Sequence, residues 1–248
     1  MISVSVILPT FRERDCIVPM LRALDALNLP GLEVIVADDH SPDGTEAAAL
    51  ETAKTMHTPV RVEQNPGVRG LAPSVVHGFS KANGDILVCM DADGQHRPAD
   101  LPGLLAEFDR NPELSMVIGS RHVPGGGFTE KWSLFRVMCS AGAAFAARLA
   151  LGITLKDPMS GFFAIRRSAF DRVKSCLSPE GFKIMLELAF LLSLTGNDEV
   201  MEHPITFAMR KHGESKLSGR VIGQYLAMLM RFVRTRNRLR RRLAPPSR

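Results

Sequence analysis

The sequence predicts an α/β fold, with a mostly parallel central sheet and helices on both faces. Three observations predict it. Short β-branched runs alternate through residue 120 with stretches rich in Ala, Leu and Glu. The strand-like runs are almost wholly apolar, as strands covered on both faces are. The chain's 248 residues, 45% hydrophobic and 23% charged, suit one globular domain or two small ones and exclude collagen-like, low-complexity and disordered classes.

Taken in order, Val4 to Leu8 reads as the first strand: the apolar run is short and lacks the basic flank of a signal peptide, so export is not expected. Glu33 to Ala37, Val60 to Glu63, Ile86 to Met90 and Met116 to Gly119 follow as strands separated by helices. Beyond residue 130 come a helix from Trp132 to Leu151, a turn, a short strand near Phe162 to Ile165, a helix from Ile184 to Leu194 and a strand around Met201 to Met209. Ala143 to Ala150 and Met185 to Leu194 read as packing faces, with Glu187 either a buried partner for Lys183 or exposed. From Ile222, the positions Ile222, Tyr225, Leu226, Leu229, Met230 and Val233 form one apolar stripe with Arg231, Arg234 and Arg238 opposite, and the stripe breaks at Arg236 and Arg240. The thirteen residues from Val221 to Val233 fall short of the roughly 18 to 20 that a bilayer span needs. The expected organisation is a body over residues 1–220 and a basic amphipathic helix with an arginine tail over 221–248.

Charge follows the same division. The formal net charge is +5, yet residues 231–248 hold eight arginines and no acid, which leaves 23 bases against 26 acids elsewhere. A near-neutral body with a basic tail argues against a nucleic-acid reader spread over the fold, and for an anionic membrane surface or a partner met by the C-terminus. The alternative is a helix that docks on the body's own core. Cys16, Cys89, Cys139 and Cys176 show neither disulfide-framework nor zinc spacing, which predicts a reducing, cytosolic setting.

Ligands of such sheets sit at the carboxyl ends of the strands. There the sequence places Pro9 to Glu13, Asp38 to Thr45, Asp91 to His96 and Ser120 to Gly127, which predicts one crevice fed by four strand ends. Asp91 and Asp93 stand two apart where a strand ends; in an extended chain they face the same way, and with an amide or imidazole group, from Gln95 or His96, they make a hard, partly open site for Mg²⁺ or Mn²⁺ beside a diphosphate, although standing alone the pair reads equally as an Asp-rich turn. Asp39 is placed to bind a ribose or base edge, and Asp43 to cap a helix. A dinucleotide-binding oxidoreductase is excluded, because Pro9-Thr10-Phe11-Arg12-Glu13 contains no glycine.

The ordered set of Pro9-Thr10-Phe11 with Glu13, Asp38 to Thr45, Asp91-Ala92-Asp93-Gly94-Gln95-His96, Gly119-Ser120-Arg121-His122-Val123, Asp157-Pro158-Met159-Ser160-Gly161-Phe162, Gly181-Phe182-Lys183 and Arg210 with Gly213-Glu214-Ser215-Lys216-Leu217 resembles family 2 inverting glycosyltransferases, of the branch of the dolichol- and polyprenol-phosphate mannose synthases. The resemblance covers almost the entire chain. It implies a nucleotide-diphospho-sugar transferase (GT-A) fold, a nucleotide-activated hexose donor such as GDP-mannose, and a polyprenyl phosphate acceptor. By the same resemblance Pro9, Phe11, Glu13 and Asp39 hold the nucleoside, while Asp91, Asp93 and Gln95 gather the metal and the donor diphosphate. Arg12 stands where such families usually have Asn, Ala72-Pro73-Ser74 replaces a glycine-rich stretch, and Gly94 replaces a larger apolar residue.

The chemistry asks for cations on the acceptor side, for which the candidates are Arg121, Arg136, Arg210 and Lys216, with Ser140 one turn beyond Arg136 on the same helix face. Asp157 either hydrogen-bonds the sugar or serves its turn. Some synthases of this branch carry C-terminal membrane helices and this sequence has none, so either the tail holds the membrane or a separate membrane-anchor protein does. The competing expectations are a UDP-glucose or other UDP-sugar transferase, a non-lipid acceptor, or a membrane- or nucleic-acid-binding module without catalysis.

Overall fold

Residues Val4–Thr10 form the first strand, β1, and all seven are buried because both faces of the sheet are covered. The alternation works residue by residue: Ile7 enters one apolar cluster, and Val6 and Leu8 enter the other. The computed structural model describes residues 2–129, 134–178, 183–196, 198–208 and 219–243, with the side chains of 134–137, 139 and 219–222 left aside. Arg210 and Lys216, the piece Gly181-Phe182 and the side chain of Arg136 therefore lie outside the described residues.

After β1 come α1 (Arg14–Asp25), β2 (Leu32–Asp38), α2 (Thr45–Ala53), β3 (Val60–Gln64), α3 (Leu71–Lys81), β4 (Ile86–Cys89), α4 (Leu101–Arg110) and β5 (Leu114–Ser120). The second half adds β6 (Gly127–Phe128), α5 (Leu134–Leu151), β7 (Phe163–Arg166), α6 (Arg167–Val173), α7 (Ile184–Thr195), β8 (Glu199–Pro204), β9 (Thr206–Phe207) and α8 (Gly219–Leu243). On one face of the sheet α1 buries Ile17, Met20, Leu21 and Leu24, a helical stripe in which each side chain contributes about 2 kcal/mol by leaving water. It shares that face with α2 and α4, while α3, α5, α6, α7 and α8 cover the other.

Seven of these strands form the main sheet, in the order β3-β2-β1-β4-β7-β5-β8. β1 has β2 on one side and β4 on the other, which makes the carboxyl ends of β1 and β4 the topological switch point. The expected fifth strand does not lie beside β4. Instead β7 enters between β4 and β5, antiparallel to both. An antiparallel strand starts where its neighbours end, so the turn Asp157–Gly161 is delivered to the same crevice as Asp91 and Arg121.

The strand expected around Met201 to Met209 is two elements, because Pro204 offers no amide to continue the ladder. Beyond it β9 leaves the main sheet and pairs with β6, and the Ile205 N–H bonds the Ser120 carbonyl at 3.0 Å. β6 and α6 carry too little periodicity to be expected from sequence.

The C-terminal helix also departs from expectation. Its apolar stripe is divided: Tyr225, Leu229, Phe232 and Leu239 are buried against the core, whereas Leu226, Met230 and Val233 are exposed. Phe232 stacks on Phe190 of α7 with ring centroids 4.9 Å apart, and the Tyr225 hydroxyl donates to the Ala143 carbonyl of α5 at 2.7 Å. Arg231 is turned inward and pairs with the buried Glu187 of α7 at 3.3 Å. Arg236, where the apolar stripe breaks, donates to the Leu151 carbonyl at the end of α5 at 2.9 Å, a helix terminus that favours a cation. Among the described residues no helix is long and apolar enough to cross a membrane.

Candidate active site

On the β1–β2–β3 side, three acids with neighbouring numbers have three different jobs. Asp38 is fully buried and spends its carboxylate inside the chain, accepting from Thr10 Oγ1 at 2.8 Å and from Ser41 N–H at 2.8 Å. Asp39 accepts from Asn65 Nδ2 at 3.2 Å and from Gly70 N–H at 3.0 Å, so the residue expected to hold the nucleoside also holds the loop between β3 and α3. Carboxylate oxygens have two lone pairs each, which leaves Asp39 capacity for a ligand. Asp43, expected as a helix N-cap, stands one residue before that position, which Gly44 takes, and its carboxylate accepts from the first amide of each of two helices, Thr45 N–H at 3.1 Å and Arg14 N–H at 3.2 Å. Burial would raise its pKa, but the hydrogen bonds from Thr45 and Arg14 outweigh it and hold the carboxyl below its ordinary range.

Pro9 is buried at the end of β1, Phe11 is half-exposed beyond it, and the Glu13 N–H donates to Thr45 Oγ1 at 3.0 Å. Arg12 between them has φ 62°, a left-handed conformation that Asn adopts at less cost than Arg. Ser41 Oγ, 3.0 Å from the Arg12 N–H, and the guanidinium's seat over the Phe11 ring hold that turn.

The carboxylate pair at the end of β4 is not extended. The strand ends at Cys89, and the Asp91 N–H turns to His96 Nδ1 at 2.8 Å while Asp93 Oδ1 accepts from Gln95 N–H at 3.0 Å. The extended conformation expected for this segment is therefore corrected: it is a turn, in which the Asp91 side chain is 35% exposed and Asp93 is 3% exposed. Gly94 takes φ 80° at the tip of this turn, the backbone reason for a glycine there. Gln95 is buried and is stapled to the segment after β9, its carbonyl accepting from Ala208 N–H at 2.9 Å and its amide donating to the Ala208 carbonyl at 3.4 Å.

His96, left unassigned in the sequence except as a neighbour of ligands, is the floor of the turn. Its Nδ1 accepts a backbone N–H, so that nitrogen carries no proton, and the 3.7 Å approach of Asp91 Oδ2 to it is proximity rather than an ion pair. Phe162 and Phe207 enclose its ring, each with centroids 5.4 Å away. Gly161 lies against the same turn: a Cβ there would stand 3.0 Å from Asp91 Oδ2 and 3.2 Å from His96 Cε1.

Across the crevice Arg121 and Asp157 are one unit. Arg121 donates from its backbone N–H at 3.0 Å, from Nε at 2.7 Å and from a terminal nitrogen at 2.7 Å, all to the Asp157 carboxylate. Both are buried, and the Arg121 guanidinium lies over Phe207 and Phe128 at 4.9 and 5.5 Å. Two residues that the sequence offered as separate candidates are thus bound to each other, the fork of one matched to the carboxylate of the other. Burial would raise the Asp157 pKa, but the hydrogen bonds and charge of Arg121 hold it below its ordinary value.

Lys183, immediately before α7, is the residue to which the sequence gave no role in the crevice. Its Nζ donates to the Met159 carbonyl at 3.4 Å, and burial lowers its pKa to about 8, helped by repulsion from Arg121 and opposed by attraction to Asp91 and Asp157. The signal available in sequence was a lysine set directly before a helix that is apolar all round. Ser140 is half-buried on α5. Among the described residues no three His, Cys, Asp or Glu side chains cluster about one point.

The mostly parallel sheet, with its polar strand ends gathered at the switch point, has the fold of the nucleotide-sugar transferases, the GT-A type. The chain belongs to glycosyl transferase family 2, whose model matches residues 5–174. It is 39% identical over 234 residues to the dolichol-phosphate mannosyltransferase of Pyrococcus furiosus, a match covering 93% of this chain and 64% of that protein, so this chain spans somewhat less than two thirds of that relative. It is 38% identical over 236 residues to the dolichol-phosphate mannosyltransferase of Saccharomyces cerevisiae, covering 92% of this chain and 86% of the relative. Among solved structures, glucosyl-3-phosphoglycerate synthase from Mycobacterium tuberculosis, crystallised with Mn²⁺, UDP and glucosyl-3-phosphoglycerate, superposes with a TM-score of 0.67 at 21% identity, covering 99% of this chain and 82% of that one. That likeness speaks for the fold.

Proposed function

We propose that this chain transfers mannose from GDP-mannose, with inversion, to a polyprenyl phosphate of the dolichyl type at the cytoplasmic face of a membrane. The observation that carries the reading is that relatives 39% and 38% identical over 93% and 92% of the chain are both dolichol-phosphate mannosyltransferases.

A phosphate monoester has a second pKa of about 6, so the acceptor is an anionic nucleophile at neutral pH and no side-chain base has to deprotonate it. An acceptor oxygen forms the bond to the anomeric carbon as the bond to the nucleoside diphosphate breaks on the opposite face. The chain's task is to hold two anions in line against their repulsion. In this reading Pro9, Phe11, Glu13 and Asp39 hold the nucleoside. Asp91, Asp93 and Gln95 would hold Mg²⁺ or Mn²⁺, because carboxylate and amide oxygens are the hard ligands such ions take. When bound, the ion neutralises the charge that builds on the departing diphosphate.

On the acceptor side Asp157 orients Arg121, and Lys183 adds an ammonium that stays charged up to a pH of about 8. Arg136, Ser140, Arg210 and Lys216 complete the proposed acceptor clamp. The exposed apolar residues Leu226, Met230 and Val233 of α8, beside Arg234, Arg238 and Arg240 to Arg242, support contact with an anionic membrane surface, where each arginine gains about 1 kcal/mol. Residues 1–220 form the catalytic body in this reading and 221–248 its membrane attachment, alone or with a separate membrane-anchor protein.

The test is transfer of radiolabelled sugar into an organic phase with a polyprenyl phosphate and Mg²⁺ or Mn²⁺, offering GDP-mannose and UDP-glucose side by side. Label from GDP-mannose is expected. Label from UDP-glucose alone replaces the donor, and label from neither overturns the reading.

A further inference from the structure

Glu202 lies on β8 directly beside Ile118 of β5, three residues before Arg121. Its side chain turns away from ion pairing and onto backbone: Oε2 accepts the Lys156 N–H at 2.7 Å and Oε1 accepts the Asp157 N–H at 2.8 Å. One carboxylate thus grips two successive peptides at the entrance of the turn that precedes β7. The far end of that turn is pinned separately, by Ser160 Oγ donating to the Gly119 carbonyl at 2.6 Å. Asp157, held between the two pins, receives all three hydrogen bonds from Arg121.

We propose that Glu202 is a positioning residue for transfer: by fixing the peptides of Lys156 and Asp157 it sets the angle of the Arg121 guanidinium toward the acceptor phosphate. Three features support it. Charge-assisted bonds from a carboxylate to N–H groups are about twice as strong as neutral ones, so the grip is stiff. The turn belongs to no strand or helix, and Glu202 and Ser160 each tie one of its ends to the sheet. Lys183 Nζ donates to the Met159 carbonyl within the same turn at 3.4 Å, so a shift of the turn moves that ammonium as well. The inference rests on the acceptor-side role proposed for Arg121.

Two measurements on the full chain test it. In ¹⁵N NMR, the Arg121 Nε–H bonded to Asp157 gives a protected signal in the unaltered protein, and Glu202→Ala is expected to speed its exchange with solvent by about tenfold or more, with Glu202→Gln, which keeps one acceptor oxygen, between the two. An unchanged signal in both variants overturns the proposal, and this readout stands whether or not GDP-mannose is the donor. In the transfer assay, Glu202→Ala is expected to lower kcat by about 10- to 100-fold, with the KM for donor within about twofold. In an Arg121→Lys background the same change is expected to matter less than about twofold. Full additivity of the two substitutions, or a loss carried by donor KM, reduces Glu202 to a structural residue and sinks the proposal. If Glu202→Ala does not fold, Glu202→Gln carries both measurements with smaller shifts of the same sign.

Discussion

The half of the crevice proposed to take the donor is held by hydrogen bonds between adjacent ends of parallel strands, whereas the half proposed to take the acceptor is held by a buried ion pair brought together by a strand that runs the other way. On the donor side Thr10, Asp38, Asp39, Ser41 and Asn65 close the ends of β1, β2 and β3 against one another with polar groups that meet wherever these strands pair in register. On the acceptor side Arg121 meets Asp157 only because β7 is inserted antiparallel between β4 and β5. The difference teaches where each half is vulnerable. Donor residues tolerate the loss of one bond among several, while the acceptor pair cannot lose a member without leaving a buried charge unmatched.

The largest expected effect breaks the donor half chemically without breaking it structurally. Asp93→Asn keeps an oxygen to accept the Gln95 N–H, so the fold persists. Transfer is expected to fall by about a thousandfold or more, because a metal ligand is lost. An active, well-folded variant would remove Asp93 from the metal site.

Next comes the acceptor half, where structure and chemistry fail together. Asp157→Asn is expected to lower stability by about 3 kcal/mol in urea unfolding, since the Arg121 charge stays buried without its carboxylate. A loss under about 1 kcal/mol would mean that Arg121 has other adequate partners.

The same pair gives a pH dependence of determined sign. The folded Asp157 pKa lies below its ordinary 3.8, so as the pH falls through that value the unfolded chain takes up the proton first. The pair's stabilisation is complete above the ordinary value and is lost as the pH falls through the folded one. Unfolding midpoints of the unaltered protein and Asp157→Asn should therefore converge in acid; parallel curves would rule the pair out as their source.

A smaller effect concerns attachment. Replacing Arg240, Arg241 and Arg242 with Ala should weaken binding to anionic vesicles by about 1 kcal/mol per arginine, read by co-sedimentation at low salt, and leave folding intact. Unchanged binding would move the contact elsewhere. Smallest of all, Arg12→Asn is expected to stabilise the protein by about half a kcal/mol, by relieving the left-handed turn at φ 62°; a loss instead would show that the Phe11 stacking outweighs the strain.

Much of the donor half was legible because strand ends and turn residues are local signals. Val4 to Leu8 extends to Thr10, and Glu33 to Ala37 gains one residue at each end, with Asp39 and Asp43 at the expected edge. Asp91 and Asp93 were placed at the right strand end, but the turn that holds them was not legible, because His96 draws the Asp91 N–H out of the extended conformation. The acceptor half was legible only as a set of residues. Nothing within reach of Arg121 along the chain announces Asp157, and nothing beside Asp157 announces Glu202.

The sequence by itself determined the alternation of strands and helices, the strand ends that carry chemistry and the basic amphipathic character of α8, since periodicity and turn chemistry are set by residues a few positions apart. Only the tertiary structure decided that β7 runs antiparallel, that Arg121 and Asp157 are one pair and that α8 turns Arg231 inward onto Glu187. Those outcomes depend on which buried surfaces and charges meet across the fold, and such meetings are fixed by the packing of the whole chain, to which no local stretch of sequence is sensitive.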